Sequence, residues 1–418
     1  MEQVNQWDWK AGTREVANLS EWEERYSEIL EPVVSRDGEK IAAVVQTEDA
    51  EFSVCENGDA WENGFDKVWH LQYGPDGRLI GLVSDTGAWT VAVDGTAWEE
   101  MSDFVWNPLV SADGRHIAVA AQRETRYLMI RDDVPWETDF GHVTDITLSA
   151  DGNNTAAAVQ TVATSEGDIF EWQKGCYSVA VNGEVWEKNF VNVYDPVFSA
   201  DGAHVAATVR TSLYDCTIVV DGKPWQQCWP AVWEPLFSKT GAVIAPVKAP
   251  KGWTLAQNGE LLWSRTFAQL WHQQYSPDGN RIAAIVAPKY GRWTVAVDEK
   301  PWSVTFGDLV DELVFSPDGK RVACAAKDKN MWTIVVDGTS WGATFDMVWQ
   351  PVFSPDGTSV AAKVKKNGQY MVVVNGRPVV SDLAETWNPV FSPAGDKLMV
   401  RAIKADSGRK YIRQIVSL

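Results

Sequence analysis

The sequence has little of what would place it in most functional classes. Its 418 residues hold five cysteines, Cys55, Cys176, Cys216, Cys228 and Cys324. The number is odd and no CxxC pair occurs, which fits neither a disulfide framework nor a thiolate-ligated metal centre and suits a reducing compartment. No run of about 18 apolar residues exists, so no segment is expected to span a bilayer as a helix. The opening stretch MEQVNQWDWKAGTREV has no basic region followed by an apolar one, so no secretory leader is expected. Positive charge is scarce: 37 Lys and Arg stand against 57 Asp and Glu, a net charge of −20. Acidic residues are dispersed along the chain. Such a surface repels phosphates, so neither nucleic acid nor direct membrane insertion is expected. Also missing are GxSxG, a P-loop, GxGxxG and a DxDxDG calcium loop. The histidines, His70, His116, His142, His204 and His272, have no ligand-like spacing, and no metal site is expected from them.

Tryptophan, by contrast, is abundant, with 23 residues. A repeat explains it. The phrase PVFSPDG at 351–357 returns as LVFSPDG at 313–319 and PVFSADG at 196–202. Its closing glycines are Gly38, Gly77, Gly114, Gly152, Gly202, Gly241, Gly279, Gly319, Gly357 and Gly395, which mark ten modules. Self-similarity at a period of about 38 residues is the signature of a repeat architecture. Within a module an apolar run meets the SPDG turn, then a small-residue strand such as RVACAA, then MWTIVVDG, whose Asp-Gly between strand-like runs is a hairpin signal. Four short strands per module without helical periodicity describe the blade of an all-β propeller.

The tryptophans fall into columns. One follows the Asp/Asn-Gly turn (for example Trp61, Trp136, Trp225, Trp302 and Trp341). A second precedes the SPDG serine by five residues (Trp69, Trp106, Trp233, Trp271, Trp349 and Trp387). A third lies in the third strand (Trp89, Trp253, Trp293 and Trp332). Large side chains at fixed repeat positions are expected to wedge neighbouring blades together, each burying roughly 150–250 Å². An electron-relay role for these indoles is not expected, because the columns follow the repeat and not a path toward one face.

The segment at 18–38 aligns with 94–114 and supplies an outer strand without its own blade, whereas the last module stops after three strands. Pairing of the two ends completes a blade and leaves no free edge. The expectation is a single propeller domain over 1–418 with a lead-in at 1–17 and an inserted loop at 162–176. Ten repeats fit one ten-bladed ring; two five-bladed rings are the alternative.

The SPDG phrase and the tryptophan-rich blades resemble WD-repeat and TolB-like propellers over the whole chain. The pairing of DGxxW (Asp221–Trp225, Asp337–Trp341) with VWxPxFS (Val232–Ser238, Val348–Ser354) resembles the tryptophan-rich cytoplasmic D subunit of the transmembrane redox complex of sulfate-reducing bacteria. Thr240 and Ala394 depart from the SPDG aspartate, and Val379 stands where a column tryptophan is expected. The resemblance implies a non-catalytic scaffold that binds no cofactor. It implies a cytoplasmic place beside the inner membrane, held there by partners, namely the iron–sulfur and membrane cytochrome subunits that carry the electrons. The alternative is a freestanding propeller binding a peptide, sugar or small metabolite at the channel mouth; an enzyme is the weakest reading.

The turn aspartates are expected to cap their own turns. Cys216 and Cys228, which flank one Asp-Gly hairpin, are expected to be packed thiols and not a redox pair. Residues that fit no column point to partners. The enlarged interval at 160–179 adds Glu166, Asp168 and Glu171 beside Ile169, Phe170 and Trp172, and apolar residues on a long loop suit a partner better than a core. Trp229, at a position usually held by Phe, and Trp7 and Trp9 in the lead-in are further partner-binding candidates.

Overall fold

A computed structural model describes residues 3–47, 50–163, 169–405 and 408–418. Among these, strands form eight four-stranded sheets and one nine-stranded sheet. Each four-stranded sheet follows chain order. Residues 309–340 are typical, with strands Leu309–Phe315, Val322–Asp328, Met331–Val336 and the short outer strand Thr339–Ser340, all antiparallel. The nine-stranded sheet is two blades fused by one long strand, Arg377–Thr386. That strand pairs with Gln369–Val374 on one side and with Lys397–Lys404 on the other. Val379, at the position expected to hold a column tryptophan, lies in it, and the outer strand of the ninth blade runs on into the tenth.

The small residues of the second strand have a packing reason. Alternation along Val322–Asp328 sends Val322, Cys324 and Ala326 into the core shared with the seventh blade. It sends Ala323 and Ala325 into the core shared with the ninth. A strand packed closely on both faces needs small or β-branched side chains.

The turns carry their own bonds. Ser316 Oγ donates to Asp318 Oδ1 at 2.6 Å, and the same carboxylate oxygen accepts the Lys320 N–H at 3.1 Å. The pattern returns at Ser111–Asp113, Ser149–Asp151, Ser276–Asp278 and Ser354–Asp356. In the tenth blade, where Ala394 occupies the aspartate position, Asp396 accepts from Ser392 Oγ instead, at 2.9 Å. At the hairpin, Asp337 and Gly338 both take positive φ, 49° and 78°, as a two-residue turn of this hand demands. Asp337 Oδ1 also accepts the Val322 N–H at 2.9 Å, tying the hairpin to the second strand.

The chain divides into two compact units, 1–48 with 55–60 and 267–418, and 49–54 with 61–266. The second holds the five blades within 67–261, packed consecutively through four shared cores. The first holds the four blades from 269 onward and most of the blade at 28–60. In that unit the lead-in departs from expectation: Gly12–Asn18 is itself a strand, paired antiparallel with the last strand, Lys410–Ser417, from Gly12 opposite Ile415 to Asn18 opposite Lys410. It is the fourth strand of the tenth blade. The lead-in backbone is held further by Lys397 Nζ on the Trp9 carbonyl (3.0 Å) and Arg413 Nη2 on the Asp8 carbonyl (2.6 Å).

Candidate partner-binding surfaces

The tryptophan columns do two different things. First-column indoles lie under the Asp/Asn-Gly turn of the next blade: a Cβ on Gly338 would meet Trp302 at 3.1 Å, on Gly183 Trp136 at 3.3 Å, and on Gly376 Trp341 at 3.4 Å. These indoles are the blade-to-blade wedge. Second-column indoles stand on the innermost strand or just before it and pair with third-column rings of the same blade: Trp69 with Trp89 at 4.5 Å, Trp233 with Trp253 at 5.3 Å, Trp271 with Trp293 at 4.5 Å. Their outer parts face solvent, and Trp69 and Trp233 are 43% and 47% exposed. The expected wedge between blades is therefore made by the first column, whose indoles are mostly half-buried, and not by the exposed parts of the second. The innermost strand has a bulge just there, where the register shifts between Trp69 and Gln72.

The residue after the second-column position sits in that bulge. His70, Asn107, Asp145 and Asp195 take left-handed backbone there, with φ of 51°, 56°, 49° and 48°; short polar side chains tolerate this conformation and β-branched ones do not. Asp145 and Asp195 lie on neighbouring blades, and the Asp195 N–H donates to Asp145 Oδ2 at 3.4 Å. The Asp195 carboxyl is pushed up to about 6, by desolvation first and then by the negative charges of Asp145 and Glu234. The side chain still reaches water; the shift comes from its recess among neighbouring blades and like charges. Sequence reasoning missed this set. Its signal was present as the acidic or polar residue in VYDP, VWEP and VWNP, which reads as an ordinary loop polar until strands bring the modules side by side.

The inserted segment ends in a short α-helix, Ile169–Lys174, in which no residue is buried. Ile169 is 60% and Phe170 79% exposed, Trp172 is half-buried and Glu171 is exposed. Glu166 and Asp168 lie outside the described residues. Trp229 is corrected: at 6% exposure it belongs to the core between the blades at 192–224 and 236–261, edge-on to Trp225 at 6.0 Å. It fills the phenylalanine site with a larger ring and offers no free face. Trp7 and Trp9 are half-buried, stacked on each other at 6.2 Å, with Trp9 Nε1 donating to the Val4 carbonyl at 3.0 Å.

His116 and His204 share a structural duty. Their Nδ1 atoms lie 2.7 and 2.6 Å from Asp132 and Asp221, the hairpin aspartates of their own blades. Arg281 and Arg321 fill the same place against Asp298 and Asp337. No group of three or more metal-ligating side chains occurs among the described residues. All five cysteines are free thiols; Cys216 is buried and Cys228 half-buried. No described helix is long and apolar enough to cross a membrane.

No protein-family model and no curated protein matches the chain. Among solved structures the chain is similar to the crystal structure of the eukaryotic initiation factor, at 11% identity and a TM-score of 0.50, covering 80% of this chain and 98% of that one. The fold is a β-propeller. At such identity the likeness is one of fold alone. The Dos1 propeller also matches, at 11% identity over 97% of this chain and 95% of that chain, with a TM-score of 0.36 that carries no further argument.

Proposed function

We propose that this propeller is a non-catalytic scaffold subunit of a membrane-associated respiratory electron-transfer complex, held on the cytoplasmic side by iron–sulfur and membrane cytochrome subunits. The observation that carries the docking role is the exposed helix Ile169–Lys174. Two large apolar side chains, Ile169 and Phe170, stand exposed on a helix with no buried residue, an arrangement that costs solvation unless another surface covers it. The redox assignment rests on the DGxxW and VWxPxFS resemblance, and it gives the scaffold its partners. In this reading the blades present loops that supply position and no chemistry.

The test is gentle affinity isolation of the tagged protein from its own membranes, recording subunits and the visible absorption spectrum. Haem bands with iron–sulfur and cytochrome subunits are expected, and Ile169→Ser/Phe170→Ser should reduce their recovery at unchanged thermal stability. A solitary, colourless protein sinks the reading. Ligand screening at the channel mouth would then test the alternative of a freestanding propeller that binds a peptide, sugar or metabolite.

A further inference from the structure

The two ends of each blade in the unit containing 61–266 differ in what they expose. One end carries the SPDG and Asp/Asn-Gly turns, bonded blade to blade: Arg78 Nη2 donates to the Gly114 carbonyl at 2.6 Å, and the Ala112 N–H to the Ala150 carbonyl at 3.0 Å. The other end carries the loops between second and third strands and the start of the innermost strand. Most of this unit's exposed large apolar side chains stand at that loop end, among them Trp69, Phe170, Tyr194, Tyr214 and Trp233. Val134, Val185, Leu261 and Leu262 are the exceptions. Apolar exposure concentrated at one end of a stack marks a contact surface.

Charge names the occupant. Along the inner edge of this end, the slot directly after the aromatic column holds His70, Asn107, Asp145, Asp195 and Glu234, while Lys67 and Lys248 reach over the column rings Trp69 and Trp253. On two neighbouring blades an exposed aromatic is followed directly by a carboxylate, Tyr194–Asp195 and Trp233–Glu234. A ring face beside a carboxylate suits a guanidinium or ammonium group, which gains from both the quadrupole and the charge. The chain itself shows that these columns accept cations. In the ninth blade Lys363 Nζ lies 4.4 Å from the centroid of Trp349, the second-column residue there, and Lys67 Nζ lies 5.5 Å from that of Trp69. An anionic lipid surface is excluded by the same carboxylates.

We infer that the loop end of this unit docks an arginine- or lysine-bearing segment of a partner protein, with Tyr194, Trp233, Asp195 and Glu234 as its cation-recognising centre. The inference deepens the scaffold reading by naming the partner's chemistry. It can fail while that reading stands, because copurification of subunits does not depend on this particular contact.

The test uses the full chain and a hexa-arginine peptide, titrated by calorimetry and tryptophan fluorescence at about 50 mM and about 200 mM salt, which bracket the screening of exposed charge. Binding is expected, weaker at the higher salt. Asp195→Asn/Glu234→Gln should weaken it about tenfold or more, as loss of paired charges at an interface does. Tyr194→Leu/Trp233→Leu should weaken it as well. Glu184→Gln/Glu260→Gln, which removes the same two charges from outer strands at the turn end, should leave affinity within about twofold, as remote exposed charges do. Melting curves for each variant separate binding loss from unfolding. Absence of peptide binding to the unmodified chain overturns the inference. So does equal loss from the two carboxylate pairs, which would reduce the effect to net charge.

Discussion

At the scale of single residues the repeat is a set of small bonding solutions. In most modules the SPDG-type aspartate is held by the turn serine and a backbone N–H, bonds that go to the ionised form. The Asp278 carboxyl is brought down to about 2, by Ser276 first and then by Asn280, and Asp113, Asp151, Asp201, Asp318 and Asp356 are lowered in the same direction. A carboxyl whose folded value lies below its unfolded value contributes stability above the unfolded range near 4, and the contribution is lost as pH falls toward 2. The protein should therefore lose stability steeply between about pH 4 and pH 2. Ser276→Ala/Ser316→Ala should shift the acid-unfolding midpoint, followed by circular dichroism, to higher pH. A midpoint unmoved by the substitutions would refute the turn account. Gly338 answers two demands at once, a φ of 78° and an indole at 3.1 Å from any Cβ. Gly338→Ala should cost about 1–3 kcal/mol in denaturant unfolding, whereas Gly87→Ala, with no atom within 4 Å at a φ of 85°, should cost only the conformational part.

At the scale of elements, closure of the tenth blade is the sensitive point. Its outer strand comes from Gly12–Asn18, and the adjoining struts come from Arg401, whose guanidinium donates to the Ser35 and Asn388 carbonyls at 2.9 and 2.7 Å, and from Tyr411 Oη on the Gly38 carbonyl at 3.1 Å. Deleting residues 1–18 should lower the melting temperature and leave the last strand as an open edge, seen as concentration-dependent association in light scattering. A truncated chain that stays monomeric with an unchanged melting temperature would contradict this. The wedge has its own test. Trp302→Ala should cost about 2–4 kcal/mol, because the hairpin turn of the next blade loses the surface it rests on. Trp271→Phe keeps a ring against Trp293 and should cost less than half of that; a larger effect from Trp271 would invert the roles assigned to the two columns.

At the scale of the molecule, ten blades in two compact units carry a net charge of −20, and Asp195 is crowded by carboxylates of the blades on either side of it. Asp195 is raised to about 6, above its unfolded value, by desolvation and by Asp145 and Glu234. A raised carboxyl favours the fold when protonated, so its share of stability declines as pH rises from about 4 to 6 and is lost above that. Asp195→Asn should therefore raise the melting temperature at pH 7.5, by roughly 1–2 °C, and leave it unchanged at pH 4. The opposite pattern would mean that Asp195 is paired and not crowded.

The sequence by itself determined the blade. Period, turn residues and the alternation of small apolar side chains are local properties, so the SPDG serine–aspartate bond, the left-handed Asp-Gly hairpin and the joining of the two chain ends were all legible. The place of the closing strand was read a few residues late, because Gly12–Asn18 matches no module and becomes a strand only by pairing with Lys410–Ser417. Tertiary structure alone decided exposure. Trp229 and Trp233 stand four residues apart in similar surroundings, yet packing buries the first in a shared core and leaves half of the second in water. It also decided that Asp145 and Asp195, 50 positions apart in sequence, share one patch of charge, since adjacency between modules is created by stacking and leaves no mark on any single repeat.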